Sequence, residues 1–350
     1  MTATKGLKIT AATMLSVGIV FSIAHSTQAG GQVNVYSYRQ PTLVKPLFDV
    51  FTKKTGIKVN LLFAKKGLVQ RIKTEGANSP ADVIFTADIG RLAGAVSADV
   101  VQQVNSDIIN KNIPASYRDK DGKWFGLTTR GRILLVSRER VKQDSITYEE
   151  LAEPKWKGKI CIRSGQHVYN VALFASMIAH HGNEKTRKWL EGLKNNLAQK
   201  PAGNDRAQVK NVFAGKCDIA VANNYYMGKM ETNDKHPEQK EWAKSVRMMF
   251  PNTETRGTHV NVSGAGVAKF APNRDNAVKL LEFLASDEGQ NIYAQSVFEY
   301  PVKPGVSWSE RNKSWGVFKA DTLPLNDIIK HRKEASELVD IVGFNNGPAS

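Results

Sequence analysis

The sequence predicts an α/β fold of two lobes joined by long crossing strands. Three observations carry that reading. The 350 residues suffice for two domains of ordinary size. Near the start, short apolar strands alternate with amphipathic helices in a βαβαβ run, the pattern of a doubly wound parallel sheet. Further on, Trp124–Val136 reads as a long strand whose polar middle, Thr128-Thr129-Arg130-Gly131-Arg132, interrupts an apolar stretch, as a strand crossing between lobes would.

In order, Val33–Tyr38 alternates as a strand, and Arg39-Gln40-Pro41 is the turn after it. A helix is expected from Pro46 to Thr55, stopped by Gly56. Ile57–Phe63 is a second strand, Leu68–Glu75 a second helix, and Asp82–Thr86 a third strand after Ser79-Pro80. Beyond the crossing strand, the expected elements are a short helix at Tyr148–Leu151, a strand at Gly158–Arg163, and helices at Val168–His180 and Lys185–Leu197. Val209–Phe213 leads into a buried strand, Ile219–Ala222. Val246–Phe250 and Gly257–Val262 lead to the return strand Ser263–Ala268. Two helices follow, Asn273–Leu284 and Asp287–Gln295, then a turn at Glu299-Tyr300-Pro301-Val302 near the second crossing. The predicted division is 30–128 plus 255–302 for the N-terminal lobe and 129–254 plus 303–350 for the C-terminal lobe.

Residues 1–29 read as a secretory signal. Lys5 and Lys8 form a basic start, Ile9–Ala24 a mostly apolar run, and Thr27-Gln28-Ala29 a small-residue cleavage site. Removing it takes two lysines from the formal charge of +16, leaving +14. A basic chain can signal nucleic acid, but export argues against it. Attraction to acidic surfaces, an anionic ligand, or plain solubility stay open. The only two cysteines, Cys161 and Cys217, favour a disulfide in an exported chain. It would close a loop of about 57 residues and contribute roughly 4 kcal/mol in the chain-entropy model. The alternative is two free buried thiols.

The candidate site lies at strand ends, where open α/β sheets gather ligands. The buried strand at Ile219–Ala222 runs into Asn223-Asn224-Tyr225-Tyr226, and a second short strand is followed by Tyr169. Cys161 precedes Tyr169 by eight residues, and Cys217 precedes Tyr225 by eight. Two neighbouring strands joined by those cysteines would bring three phenols to one edge. Alone, a Tyr-Tyr pair is more often half-buried packing. Catalytic templates are absent from the sequence: there is no G-x-S-x-G, H-E-x-x-H, P-loop or G-x-G-x-x-G after a strand. His180 and His181 are adjacent and do not share a helix face. His167 can cap or orient the loop before Tyr169. Tyrosinate is a hard anionic donor, and a free phenol, with a pKa of about 10, needs a highly charged cation to ionise at neutral pH. Ferric iron has that charge. Three tyrosinates would neutralise it and leave positions for a small anion such as carbonate. Arg130 is the best-placed anchor for that anion, with Arg39 and Gln40 as partners from the other lobe.

Asn223-Asn224-Tyr225-Tyr226, Ser79-Pro80-Ala81-Asp82-Val83, Ser263-Gly264-Ala265-Gly266-Val267 and Glu299-Tyr300-Pro301 resemble the periplasmic ferric-iron-binding proteins of ABC transporters, the bacterial transferrins of FbpA/FutA/IdiA type. The resemblance spans the chain after residue 29. It implies the type II periplasmic binding protein fold, with two β crossovers at a hinge and Fe³⁺ held in the cleft between lobes. It also implies a monomeric, non-enzymatic carrier in the periplasm that delivers iron to an inner-membrane permease. By the same resemblance, Tyr225 and Tyr226 match the ligating pair, Tyr169 a third ligand of one branch, and Arg130 the anchor of a carbonate or bicarbonate. Where some members place a histidine after the first strand, this chain has Gln40-Pro41; where some use a glutamate after the third, it has Ala87. That favours three tyrosines plus an anion, whose identity among carbonate, citrate and phosphate stays open. The alternative is a carrier of the same fold for an oxoanion or a polyamine.

Overall fold

The structure, a computed structural model, describes residues 1–3, 30–316 and 318–348. All but the first three residues of the expected secretory signal lie outside the described residues. No described helix is long and apolar enough to cross a membrane.

The first part of the chain runs β1 (Gln32–Ser37), α1 (Pro41–Thr55), β2 (Lys58–Phe63), α2 (Leu68–Glu75), β3 (Val83–Thr86), α3 (Ile89–Ser97) and α4 (Asp107–Asn112). The crossing strand β4 (Phe125–Ser137) follows. Then come β5 (Ile160–Cys161), α5 (Val168–His181), α6 (Asn183–Asn195), α7 (Asp205–Phe213), β6 (Ile219–Asn223), α8 (Tyr225–Glu231), α9 (Glu238–Lys244) and β7 (Val246–Met249). The chain returns through β8 (Val260–Val267), α10 (Arg274–Ala285), α11 (Asp287–Val297) and β9 (Tyr300–Pro301). It ends in α12 (Glu310–Ser314), α13 (Leu325–Lys330) and α14 (Arg332–Ile341).

The strands order as β2-β1-β3-β8-β4-β6-β5, with β7 and β9 also on β4. The first half of β4 pairs with β8 and β9; the second half, from Arg132 on, pairs with β6 and β7. One strand thus belongs to both halves of the molecule, as its polar middle predicted. The segment between β7 and β8 makes the return crossing. The βαβαβ run is parallel as expected, β1 pairing β2 and β3; β5 also pairs β6 in parallel, whereas the crossing strands β4 and β8 run antiparallel to their partners, so the whole sheet is mixed. A βαβ run fixes only its own local direction. The crossing strands pass between halves without a returning helix, so antiparallel pairing is open to them.

Two large apolar clusters flank this sheet. One packs Val33, Val35 and Phe85 against Phe48 and Phe51 of α1 and Leu280 and Leu284 of α10. The other packs Leu134 and Val221 against Phe174, Leu190 and Leu338, and also takes Ile89 and Leu92 of α3 from the first half. Helix α1 begins five residues earlier than predicted. Pro41, its missing N–H harmless at the first helical position, starts it. Pro46 sits inside the helix, where its lack of an N–H frees the Thr42 carbonyl from the ladder. The strand expected at Gly158–Arg163 shrinks to Ile160–Cys161.

Cys161 and Cys217 form a disulfide with Cα atoms 6.0 Å apart, joining β5 to the residues just before β6. Replacing both by alanine is expected to lower unfolding stability by about 2–4 kcal/mol, seen as a lower denaturant midpoint under non-reducing conditions. An unchanged midpoint would contradict that role.

Candidate functional site

At the end of β6, two amides fix where the tyrosines go. Asn223 donates its N–H to Asp205 Oδ2 (2.9 Å), and its side-chain oxygen accepts from Arg132 Nη1 (3.1 Å). Asn224 Oδ1 accepts from Gly131 N on β4 (3.0 Å), and its Nδ2 donates to the Phe298 carbonyl (3.0 Å). The chain then enters α8 directly. Tyr225 and Tyr226 are its first two residues, their rings tilted together with centroids 4.4 Å apart. Tyr169 comes from the first turn of α5, and its hydroxyl lies 3.3 Å from that of Tyr225. The three phenols singled out by sequence therefore converge. His167 is the N-cap of α5, accepting from Tyr169 N at 3.3 Å. Burial beside Arg163 pushes its imidazole down to about 3, so it is neutral. His180 pairs with Asp321 and His181 with Glu149, on different partners.

The phenols line a cavity of about 560 Å³. From the first half of the molecule come Arg39, Gln40 and Thr42 at the start of α1, with Lys65, Ala87 and Arg91. Arg163, Arg206 and Lys229 come from the second half. None of the described lining residues is acidic, so the cleft is positive on both walls. Gln40, the residue before α1, makes no side-chain cap bond. Tyr38 also lines the cleft, but its hydroxyl accepts from Val69 N (3.0 Å) and Arg91 covers its ring at 4.3 Å. No group of three or more His, Cys, Asp or Glu able to hold a metal occurs among the described residues; the hard anionic donors this cleft can offer are phenols.

Beneath the phenols runs a band of buried arginines. Arg132 is fully engaged: Nε and Nη2 donate to Asn170 Oδ1, and Nη1 to Asp205 and Asn223. Asp205 also takes Arg163 at 3.0 Å. Burial pushes the Asp205 carboxyl up, but Arg132 and Arg163 outweigh it and hold it below its ordinary value. Arg130 and Arg39 differ. They are 1% and 3% exposed, and among the described residues the Nε and Nη2 of each have no hydrogen-bond partner. Buried polar groups are nearly always paired, and the Nε–Nη2 edge is the fork that grips a planar oxyanion. Arg130 stands 5.4 Å from the Tyr169 ring centroid and Arg39 5.8 Å from that of Tyr225. The residues thus fit a small planar anion beside the phenols.

Burial pushes the Tyr225 and Tyr226 phenols above their ordinary range; Tyr169 and Tyr226 raise Tyr225 further, and Tyr169 and Asp205 raise Tyr226, partly opposed by nearby guanidinium groups and, at Tyr226, by its contact with the Tyr225 hydroxyl. Sequence reasoning missed Arg132, Arg163, Asp205, Ser263 and Glu299. Their pairings join residues 36 to 260 positions apart; Ser263 and Glu299 stand in motifs that carry the family resemblance, but nothing local records whom any of the five pairs with.

Asp205→Asn should destabilise by about 3–5 kcal/mol, because it strips a buried partner from two guanidinium groups. Its native carboxyl is held below the unfolded value of about 3.9. The contribution is therefore present above that value and lost as pH falls through the native one. The stability gap between wild type and variant should narrow below about pH 4; a gap constant with pH in denaturant titrations would refute this.

Residues 78–315 match the family model for bacterial extracellular solute-binding proteins. Iron uptake protein A1 of Synechocystis is 45% identical over 316 residues, covering 89% of this chain and 87% of its own. The apo ferric ion-binding protein A of Pasteurella haemolytica superposes with a TM-score of 0.85 at 51% identity, covering 90% of this chain and 98% of its own. A Trichodesmium IdiA/FutA structure in complex with iron and citrate ligands gives 0.85 at 45% identity, covering 90% and 100%. The two-lobed type II fold is shared with these structures, and the chain belongs to the bacterial extracellular solute-binding proteins, in the branch its motifs resemble.

Proposed function

We propose that this protein captures ferric iron in the cleft through the phenolates of Tyr169, Tyr225 and Tyr226 together with a planar anion, carbonate or bicarbonate, held by Arg130 and Arg39 with Gln40 at the rim. The observation that carries this reading is the convergence of three phenols beside two buried guanidinium forks without partners. Relatives named for iron uptake and ferric-ion binding support the metal. Their names are those of an uptake protein and an ion-binding protein.

Charge makes the set self-consistent. Three phenolates balance Fe³⁺. Glu299 pairs with Arg39, and Asp205 with Arg132 and Arg163, while Arg130, among the described residues, bonds only the Ser263 hydroxyl; against these four guanidinium groups and two carboxylates, the anion bound as carbonate offsets the remainder. The lobes comprise 30–128 plus 255–302 and 129–254 plus 303–350. Their closure about the crossing strands shields the ion from water. In the periplasm the loaded carrier, a monomer, hands its iron to an inner-membrane ABC permease. A metal-free oxoanion carrier is the competing reading, favoured by the cationic cleft. A polyamine would find no carboxylate among the described lining residues.

Tyr225→Phe removes one donor with little change of shape. The variant should retain less than about a tenth of the wild-type iron after passage over a chelating column, measured by metal analysis. Retention equal to wild type would sink tyrosinate ligation. The two raised phenols of the pair are protonated without metal, so loading must expel protons. About three protons per iron from the protein are expected in a pH-stat titration, corrected for the chelate. The sign follows: binding weakens as pH falls. No proton release would favour the oxoanion reading.

A further inference from the structure

Between the two free arginine forks lies one hydroxyl. Ser263 Oγ on β8 is 2.6 Å from Arg39 Nη1 and 3.0 Å from Arg130 Nη1. It is also 2.8 Å from Glu299 Oε2. Glu299 accepts from Arg39 Nη1 through its other oxygen (2.7 Å) and from the Thr128 hydroxyl through Oε2. Ser263 and Glu299 are wholly buried.

A serine hydroxyl has one proton and two lone pairs. A guanidinium can only donate, so Arg39 and Arg130 must each take a lone pair. The single proton is left for Glu299. Every bond direction in this cluster is therefore forced. Each guanidinium is pinned at its Nη1 corner, which leaves the opposite Nε–Nη2 edge free. One carboxylate faces two guanidinium groups, so one positive charge stays uncompensated.

The carboxylate is not itself among the residues that line the cleft. It follows Phe298, whose φ of 63° is left-handed, a conformation a bulky residue adopts only when its surroundings impose it. Here they do. The Phe298 carbonyl accepts from Asn224 and Asn312, and its ring lies where a Cβ on Gly228 would approach to 2.5 Å. The segment that places Glu299 is thus clamped to the helix bearing Tyr225 and Tyr226.

We propose that Ser263 and Glu299 are positioning residues of the anion anchor: together they hold the Arg39 and Arg130 forks in one fixed pose, clamped to the tyrosine helix through Phe298, so that a bidentate oxyanion is received at the metal. This rests on the anion reading of the cleft. The residues touch neither iron nor anion and act through the two arginines.

The test is a bicarbonate titration of iron-loaded protein, following the iron–phenolate absorption band in wild type, Ser263→Ala and Glu299→Gln. Ser263→Ala deletes the shared acceptor. Glu299→Gln puts an amide N–H against the serine and reverses its proton, so that an arginine loses its lone pair. Each should raise the bicarbonate concentration at half-formation by about tenfold or more, while the band at saturation keeps its position and intensity because the tyrosines are untouched. Wild-type dependence on bicarbonate with unshifted variants would overturn the positioning role and leave the anion reading standing. A wild-type band indifferent to bicarbonate would overturn both. A folded Ser263→Ala protein that forms no band at any bicarbonate concentration would also overturn the proposal, since the serine would then act on the metal ligands. If Glu299→Gln does not fold, Ser263→Ala decides alone.

Discussion

The arrangement depends on how buried positive charge is compensated. Burying a guanidinium costs several kcal/mol unless it is paired and hydrogen-bonded. Three buried arginines, Arg39, Arg130 and Arg132, and the half-buried Arg163 lie around the phenols; Glu299 serves Arg39 and Asp205 serves Arg132 and Arg163, while Arg130, among the described residues, bonds only Ser263. Arg132 and Arg163 are settled by Asp205 and Asn170. Arg39 and Arg130 are pinned at one corner only. The protein tolerates an under-neutralised core at the place where a dianion and a trivalent cation are to be received. The ligand completes the electrostatics instead of disturbing them. The Tyr225 and Tyr226 phenols stay protonated without metal despite these guanidinium groups, because burial and neighbouring negative charge outweigh them until a stronger field arrives.

The fold supplies that site by geometry more than by chemistry. β4 belongs to both halves of the sheet, so Arg130 sits at the seam. Gly131 beside it leaves room where a side chain would press on Phe318 and Ile133 at 3.2 Å. The Asn-Asn pair before the tyrosines has a mechanical role on each side. Asn223 ties β6 to the arginine band, and Asn224 ties it to the seam and to the segment entering β9. The tyrosines inherit their positions from these bonds.

Much of this was legible in the sequence, and the reasons are local. The apolar run Ile219–Ala222 marks a buried strand, and the eight-residue offsets from the two cysteines place Tyr169 and Tyr225 level with each other. The polar interruption around Arg130 marks a strand that cannot be buried uniformly. What was hidden is long-range. Arg39 reads as a turn residue, yet it is buried against Glu299, 260 positions away. Asp205 opens a helix and reads as an ordinary first-turn acid, yet it is the counter-charge of the site. The sheet's mixed direction was hidden too, because strand direction follows from crossing connections and no periodicity records it.

A crystal structure of the protein loaded with iron in bicarbonate would test the central claim most directly. The account predicts one ferric ion bonded to the hydroxyl oxygens of Tyr169, Tyr225 and Tyr226, with a bidentate anion between the metal and the Nε–Nη2 edges of Arg39 and Arg130. Iron bound away from the three phenols, or an oxyanion in the cleft with no metal beside it, would contradict it.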